Sequence, residues 1–214
     1  MSKSNKYGYS GVDIPTQAAF ANVGKFDPSE INELVQEDKW TQYGQLELIE
    51  TFTPSGVSSF DITNFGTGYD VHFLTFNDMS IGDNRDLYIR VYVGGVEQSG
   101  ASDYGRAFQQ GTATGSFAED RDPDLHLLRV IPEMGNIGTG EGFNGYMYMY
   151  NAEDSAKYTF FTQQFSSVDF NNAFRMNFGS GVYQQANTLS GLKLYPNAGN
   201  ISGSVSIYGI KAYS

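Results

Sequence analysis

The chain contains no cysteine and only two histidines among its 214 residues. Without cysteine there is no disulfide bond and no thiolate metal site, and the redox compartment cannot be inferred. His72 and His126 both lie in strand-like segments, and neither has a second histidine at the spacing of a metal site. We therefore expect both to be structural residues rather than catalytic bases, and we expect no cofactor.

Positive charge and long apolar runs are also scarce. The chain has 13 Lys and Arg residues against 24 Asp and Glu residues, a net charge of −11. Binding to phosphates needs a basic patch, so we expect no nucleic-acid partner. No apolar run approaches the ~20 residues of a membrane-spanning helix. The first residues, MSKSNKYGYSG, lack the apolar core of a secretory signal, so we expect synthesis in the cytoplasm and no membrane partner.

Motifs for common enzyme chemistry are missing. The sequence has no Gly-x-Ser-x-Gly segment for a serine nucleophile and no glycine-rich phosphate loop followed by Lys-Ser or Lys-Thr. Glycoside hydrolysis needs a pair of carboxylates on either side of the sugar bond. Glu47 and Asp61 stand alone in their strands, and Glu153 and Asp154 are adjacent, so we expect solvated carboxylates and no enzyme.

Two acidic segments are candidates for calcium sites, because calcium takes six to eight oxygen ligands. Neither has the spacing of a calcium loop, and the second contains Arg121 and Pro123, so we interpret both as solvated loops without a metal. The acidic and amide residues of the two segments are Asp78, Asp83, Asn84 and Asp86, and Asp120, Asp122 and Asp124.

Glycine and aromatic residues are abundant instead, with 25 Gly, 16 Phe and 15 Tyr. Glycine serves tight turns, and Tyr and Phe favour strands. From Gln45 onward, about ten strand-like runs alternate with turn signals, including a Gly-Gly hairpin at 94–95. The pattern predicts an all-β fold, a jelly-roll-like β-sandwich formed by one domain, residues 45–214.

The last 24 residues contain two strands, LKLY and ISGSVSIYGI, joined by a Pro/Asn/Gly turn. In the second strand, strict alternation places Ile201, Val205 and Ile207 on one face and the serines and Tyr208 on the other. We expect the two strands to pair as a hairpin with one face packed on the core.

Residues 1–44 differ from the rest and are predicted to form an N-terminal extended arm and one short helix. Asp27 suits the N-cap, Pro28 the first helical position and Glu30 the third, where it closes a capping box. A helix of about three turns is marginal by itself, so it must dock on its own body or on a neighbour. The residues proposed to carry docking and assembly are Phe20, Phe26, Ile31, Leu34, Val35 and Trp40.

The segment GYMYMYN places Tyr146, Tyr148 and Tyr150 on one side of a strand and two methionines on the other. If the methionines fill the core, the tyrosines form an exposed stripe, a subunit interface or a platform for glycans. The alternative is that the tyrosines pack within the sandwich or cover a sheet edge. We call these three residues the tyrosine stripe.

The C-terminal segment, FRMNFGSGVYQQANTLSGLKLYPNAGNISGSVSIYGIKAYS, resembles the close of small β-rich accessory proteins of tailed bacteriophages. In those proteins an apolar strand leads through a Gly/Asn turn to a Ser/Gly/Thr-rich strand that ends in Tyr-Gly-Ile, here Tyr208 to Ile210. DLYIRVYVGGV and GYMYMYN also fit that sandwich.

The resemblance implies a non-enzymatic structural component of a virion, made in the host cytoplasm. The first hypothesis is a capsid decoration protein that binds the major capsid protein through its N-terminal arm. The alternative is a tail fibre or baseplate subunit whose β-sandwich recognises host surface glycans. Either protein would form a homo-oligomer, for example a trimer. Repetition of the same contact by symmetry would supply avidity.

Overall fold

The computed structural model describes residues 28–29, 32–33, 46–82, 85–115, 117–134, 141–169 and 171–210. Contacts divide the chain into two units, Met1–Gly44 and Gln45–Ser214. In the first unit, residues 28–29 and 32–33 are helical, within the segment for which a helix is predicted. The extended arm and the rest of that helix lie outside the described residues.

The second unit is an antiparallel β-sandwich, which confirms the predicted fold class. Its strands are β1 (Leu46–Phe52), β2 (Phe60–Ile62), β3 (Val71–Ile81), β4 (Arg85–Val93), β5 (Val96–Glu97), β6 (Tyr104–Thr112), β7 (Phe117–Leu125), β8 (Leu128–Met134), β9 (Phe143–Tyr150), β10 (Thr159–Val168), β11 (Phe174–Tyr183), β12 (Gly191–Pro196) and β13 (Ile201–Ile210). The Gly-Gly turn at 94–95 joins β4 to β5, as predicted.

The strands form two sheets of unequal size. The large sheet has eight strands in the order β1-β13-β3-β9-β10-β11-β6-β7. The small sheet has the order β2-β12-β4-β5, and β8 also pairs with β4. The core is formed by the inward side chains of these strands, because alternation along a strand sends every second residue to the same face. Leu74, Met147 and Phe161 of the large sheet and Ile89 and Leu194 of the small sheet are fully buried there.

The predicted C-terminal hairpin is wrong. β12 pairs with β2 and β4 in the small sheet, whereas β13 pairs with β1 and β3 in the large sheet. Both strands bury apolar side chains, Leu192 and Leu194 in β12 and Val205 and Ile207 in β13. The two strands cover the core from opposite sides, one in each sheet. The Pro/Asn/Gly turn therefore crosses between the sheets. The predicted alternation within β13 is confirmed, because Ile201, Val205 and Ile207 are fully buried.

Two segments predicted as polar loops are strands for much of their length. Residues 77–81 continue β3, because Asp78 takes a positive φ of 48° at a bulge and thereby restores the burial of Met79 and Ile81. Residues 117–125 form β7, the edge strand of the large sheet. An edge strand tolerates its many charges, and Pro123 lies where the β6–β7 register shifts.

Candidate functional site

The two histidines occupy unrelated positions. His72 lies in β3 with its side chain fully buried, and its Nε2 donates to the carbonyl oxygen of Phe65 at 2.9 Å. His126 is exposed in the turn between β7 and β8, so its predicted strand position is wrong. Among the residues that the structure describes, no three His, Cys, Asp or Glu side chains gather as metal ligands.

The acidic residues of β7 bind cations of the protein itself. Asp120 accepts hydrogen bonds from the guanidinium groups of Arg106 and Arg129, with Arg106 Nε at 2.9 Å and Arg129 Nε at 3.0 Å. Arg129 also donates from Nη1 to Asp86 Oδ2 at 3.2 Å. Burial alone would lower the pKa of Arg129, but these two carboxylates raise it. This ion-pair cluster links β6 and β7 of the large sheet to β4 and β8 of the small sheet.

The tyrosine stripe lies on the outward face of the large sheet. Met147 and Met149 of the same strand are fully buried in the core, which is the condition under which the stripe faces outward. Tyr146 is 37% exposed, and Tyr148 and Tyr150 are half-buried. The three rings pack side by side, with centroids 5.9 Å apart for the first pair and 6.2 Å for the second.

The stripe is one column of a larger surface. The outward residues of six adjacent strands, β13 to β6, form four rows of six, 24 positions, which we call the neutral face. The first three rows are paired residue by residue across all six strands. The first row is Ile210, Val71, Tyr150, Phe160, Val182 and Gly105. The second row is Tyr208, Phe73, Tyr148, Thr162, Ser180 and Ala107. The third row is Ser206, Thr75, Tyr146, Gln164, Phe178 and Gln109. The fourth row is Ser204 and Asn77, then, across the bulge at which the β3–β9 register shifts, Asn144, Ser166, Met176 and Gly111.

No charged residue occurs in the neutral face, although the chain has 37 charged residues, 13 basic and 24 acidic. Its side chains are aromatic, aliphatic, amide, hydroxyl or glycine. The aromatic rings form a continuous cluster around Phe73, whose centroid lies 4.8 Å from that of Tyr148 and 6.1 Å from that of Tyr208. The surface is therefore suited to stacking, apolar contact and neutral hydrogen bonds.

The small sheet has the opposite character. Glu97 binds Arg90 at 2.6 Å and Lys193 at 2.7 Å, and both cations lie over the ring of Tyr195. Burial alone would raise the pKa of Glu97, but the two cations hold it below its ordinary range. The small sheet thus presents charge, and on the large sheet charge appears beside the neutral face in β7, where Arg121 pairs with Ala107 and Glu119 with Gln109.

Exposed apolar side chains mark the same side of the large sheet. Of the ten large hydrophobic residues exposed in the described part of the chain, seven lie on the outward side of this sheet. They are Leu46, Leu48, Phe117, Tyr146, Phe160, Phe174 and Phe178. Exposed apolar side chains concentrated on one side of a protein mark surfaces for interaction, so this side of the sheet is a candidate for contact with a partner.

A groove of about 670 Å³ opens at one side of the neutral face, beside Phe160. The small residues Gly105, Ala107 and Ser180 line it, and Arg121 of β7 lines it as well. Phe160 is 48% exposed, so its ring is accessible for stacking against a ligand.

Sequence reasoning found the outward residues of two strands of this surface, β9 and β13, and missed those of the other four. The signal for the rest is the absence of charge at alternate positions of β3, β10 and β11, which becomes a surface only once the strand order is known. The six residues predicted for docking, Phe20, Phe26, Ile31, Leu34, Val35 and Trp40, lie outside the described residues.

Comparison with models of known protein families finds no match for this chain, and comparison with curated proteins finds no relative. Within the described ranges, no helix is long and apolar enough to cross a membrane.

Proposed function

We propose that this protein is a non-enzymatic structural component of a bacteriophage virion that acts by binding. The observation that carries the proposal is the neutral face, a charge-free, aromatic-rich surface on a protein of net charge −11. A subunit that is buried in an assembly needs such a surface, since the centres of protein interfaces are depleted in charge and enriched in aromatic residues.

Capsid decoration is the particular role that we propose. The N-terminal unit, residues 1–44, attaches the subunit to the major capsid protein, and the sandwich provides contacts between subunits. Support for this division of labour comes from the sequence, where six apolar residues fall in a segment that has no place in the strand pattern. Attachment through many copies needs only weak single contacts, because symmetry multiplies them.

The test is a truncation that removes residues 1–40. We expect the truncated chain to lose binding to purified particles of the phage that encodes it, because the attachment segment is gone. Its far-ultraviolet circular dichroism should keep the β-sheet spectrum of the full chain, since the sandwich begins at Leu46. Co-sedimentation with particles measures binding, and undiminished co-sedimentation of a folded truncation would contradict the attachment role.

A tail fibre or baseplate subunit that binds host glycans is the second candidate. The groove beside Phe160 and the tyrosine stripe favour it, because sugars bind to aromatic rings and neutral hydrogen-bonding groups. A glycan array, followed by titration of any binder, tests it. The triple variant Tyr146→Ser, Tyr148→Ser and Tyr150→Ser should then lose glycan binding. Normal assembly of that variant with no glycan binding by the wild type would remove this candidate.

A further inference from the structure

The occupant of the neutral face follows from its size, charge and hydrogen-bonding chemistry. We propose that it binds the neutral face of a second copy of this chain, with the two copies related by a two-fold axis. This inference rests on the proposed function, because it names the partner of the same surface.

The size of the face fits a contact between two copies. Six strands about 4.8 Å apart, each with four outward residues about 6.8 Å apart, cover roughly 800 Å². A stable complex of standard size buries about 800 Å² on each partner. The exposed aliphatic residues Leu46 and Leu48 extend this area at the β1 edge. Such side chains offer a sugar neither ring stacking nor hydrogen bonds, whereas they suit an apolar contact between proteins.

The charge of the molecule favours a partner of the same kind. Two copies carry −11 each and repel one another, so a contact between them is opposed least where the facing surfaces carry no charge. A basic partner would be matched by acidic residues rather than by a neutral face. Among the described strands, the neutral face is a surface through which two such acidic molecules can meet without opposing like charges.

The polar residues of the face are self-complementary. In a two-fold interface the same surface patch faces itself, so like charges would meet like charges. Amides and hydroxyls both donate and accept hydrogen bonds, so Gln109, Gln164, Asn77 and Asn144 can pair with the same residues of a second copy. The third and fourth rows of the face contain these amides.

The test changes one charge on the face of the full-length protein. Gln164 is exposed, and its Oε1 accepts a hydrogen bond from the hydroxyl of Tyr146 at 3.0 Å. Gln164→Glu keeps the shape of the side chain and this acceptor, and adds only a negative charge to each copy. The matched control is Gln185→Glu, the same change at an exposed position between β11 and β12.

Sedimentation equilibrium gives the result. We expect the wild type and Gln185→Glu to have twice the chain mass of 23.6 kDa, and Gln164→Glu to dissociate with a dissociation constant about 100-fold higher. If Gln164→Glu loses its cooperative thermal transition, Thr162→Glu with Thr162→Gln as its control replaces it, since Thr162 lies exposed in the next row.

Three results would overturn the pairing. The first is a wild-type monomer at about 50 µM, since an interface of this size binds in the micromolar range or tighter. The second is a dimer that Gln164→Glu leaves unchanged. The third is a trimer, because three copies cannot share one two-fold contact. Particle binding is measured in parallel. A monomer that binds particles contradicts the pairing alone, whereas a dimer that does not bind them contradicts the proposed function alone.

Discussion

At the scale of single residues, His72 is the buried group whose ionisation affects the fold most clearly. Its Nε2 donates to the carbonyl of Phe65, while its Nδ1 is buried without a hydrogen-bond partner. Burial lowers the pKa of His72 below its ordinary value, although the hydrogen bond to Phe65 and the charge of Glu153 oppose that shift. Protonation would place a charge and an unpaired N–H inside the sandwich.

The stability of the protein should therefore fall as the pH drops below about 6.5. In the unfolded chain His72 takes up a proton at its ordinary pKa, whereas in the folded chain it does so only at lower pH. The contribution of neutral His72 to stability is therefore fully present above the unfolded pKa and is lost as the pH falls to the folded pKa. The slope approaches about 1.4 kcal/mol per pH unit between the two pKa values. Urea unfolding from pH 7.5 to 5.5 measures it.

Substituting each histidine in turn isolates the effect. His72→Gln should flatten the pH dependence over this range, whereas His126→Gln, at an exposed site, should keep the wild-type slope. An unchanged slope in His72→Gln would show that another group is responsible.

At the scale of elements, strand alternation could be predicted from the sequence and strand pairing could not. β9 and β13 show clear period-two patterns, and the buried methionines of β9 and the buried Ile201, Val205 and Ile207 of β13 are the expected ones. β6 is hard to recognise in the sequence because Gly105 and Ala107 are poor strand formers that hide the alternation of Tyr104 and Phe108. The partners of a strand depend on packing across the core, which is why the sheet change between β12 and β13 escaped prediction.

The sequence also did not show the role of the acidic run in β7. As a local pattern, Asp120 and Asp122 are typical of a solvated loop. The partners of Asp120, Arg106 and Arg129, come from β6 and β8, and only the folded sandwich brings them together. The ion-pair cluster then joins the two sheets at the β7 edge, where the hydrophobic core ends.

Removing the central carboxylate should loosen this edge. Asp120→Asn leaves Arg106 and Arg129 partly buried with one fewer anion between them, because Asp120 is only 10% exposed. We expect a loss of about 1–3 kcal/mol in the free energy of unfolding, measured with urea at pH 7. Asp154→Asn is the matched control, because its pair with Lys157 is solvent-exposed and should contribute nothing measurable. Equal stability of Asp120→Asn and wild type would contradict a structural role for the cluster.

At the scale of the whole sandwich, the two sheets divide the surface chemistry. Cations paired with Glu97 lie over tyrosine on the small sheet, whereas the 24 outward positions of the neutral face on the large sheet carry no charge. The tyrosine stripe could be predicted from one strand, because its alternation is local. The neutral face could not, since it depends on the register of six strands that are far apart in sequence.

Hydroxyl-radical footprinting of the full-length protein tests most directly whether the neutral face is covered when the protein assembles. Oxidation of Tyr146, Phe160 and Phe178 is compared between dilute protein and assembled protein, with Tyr92 of the small sheet as the internal reference. We expect assembly to protect the three face residues and to leave Tyr92 unchanged. Equal oxidation of the face residues in both states would contradict the claim.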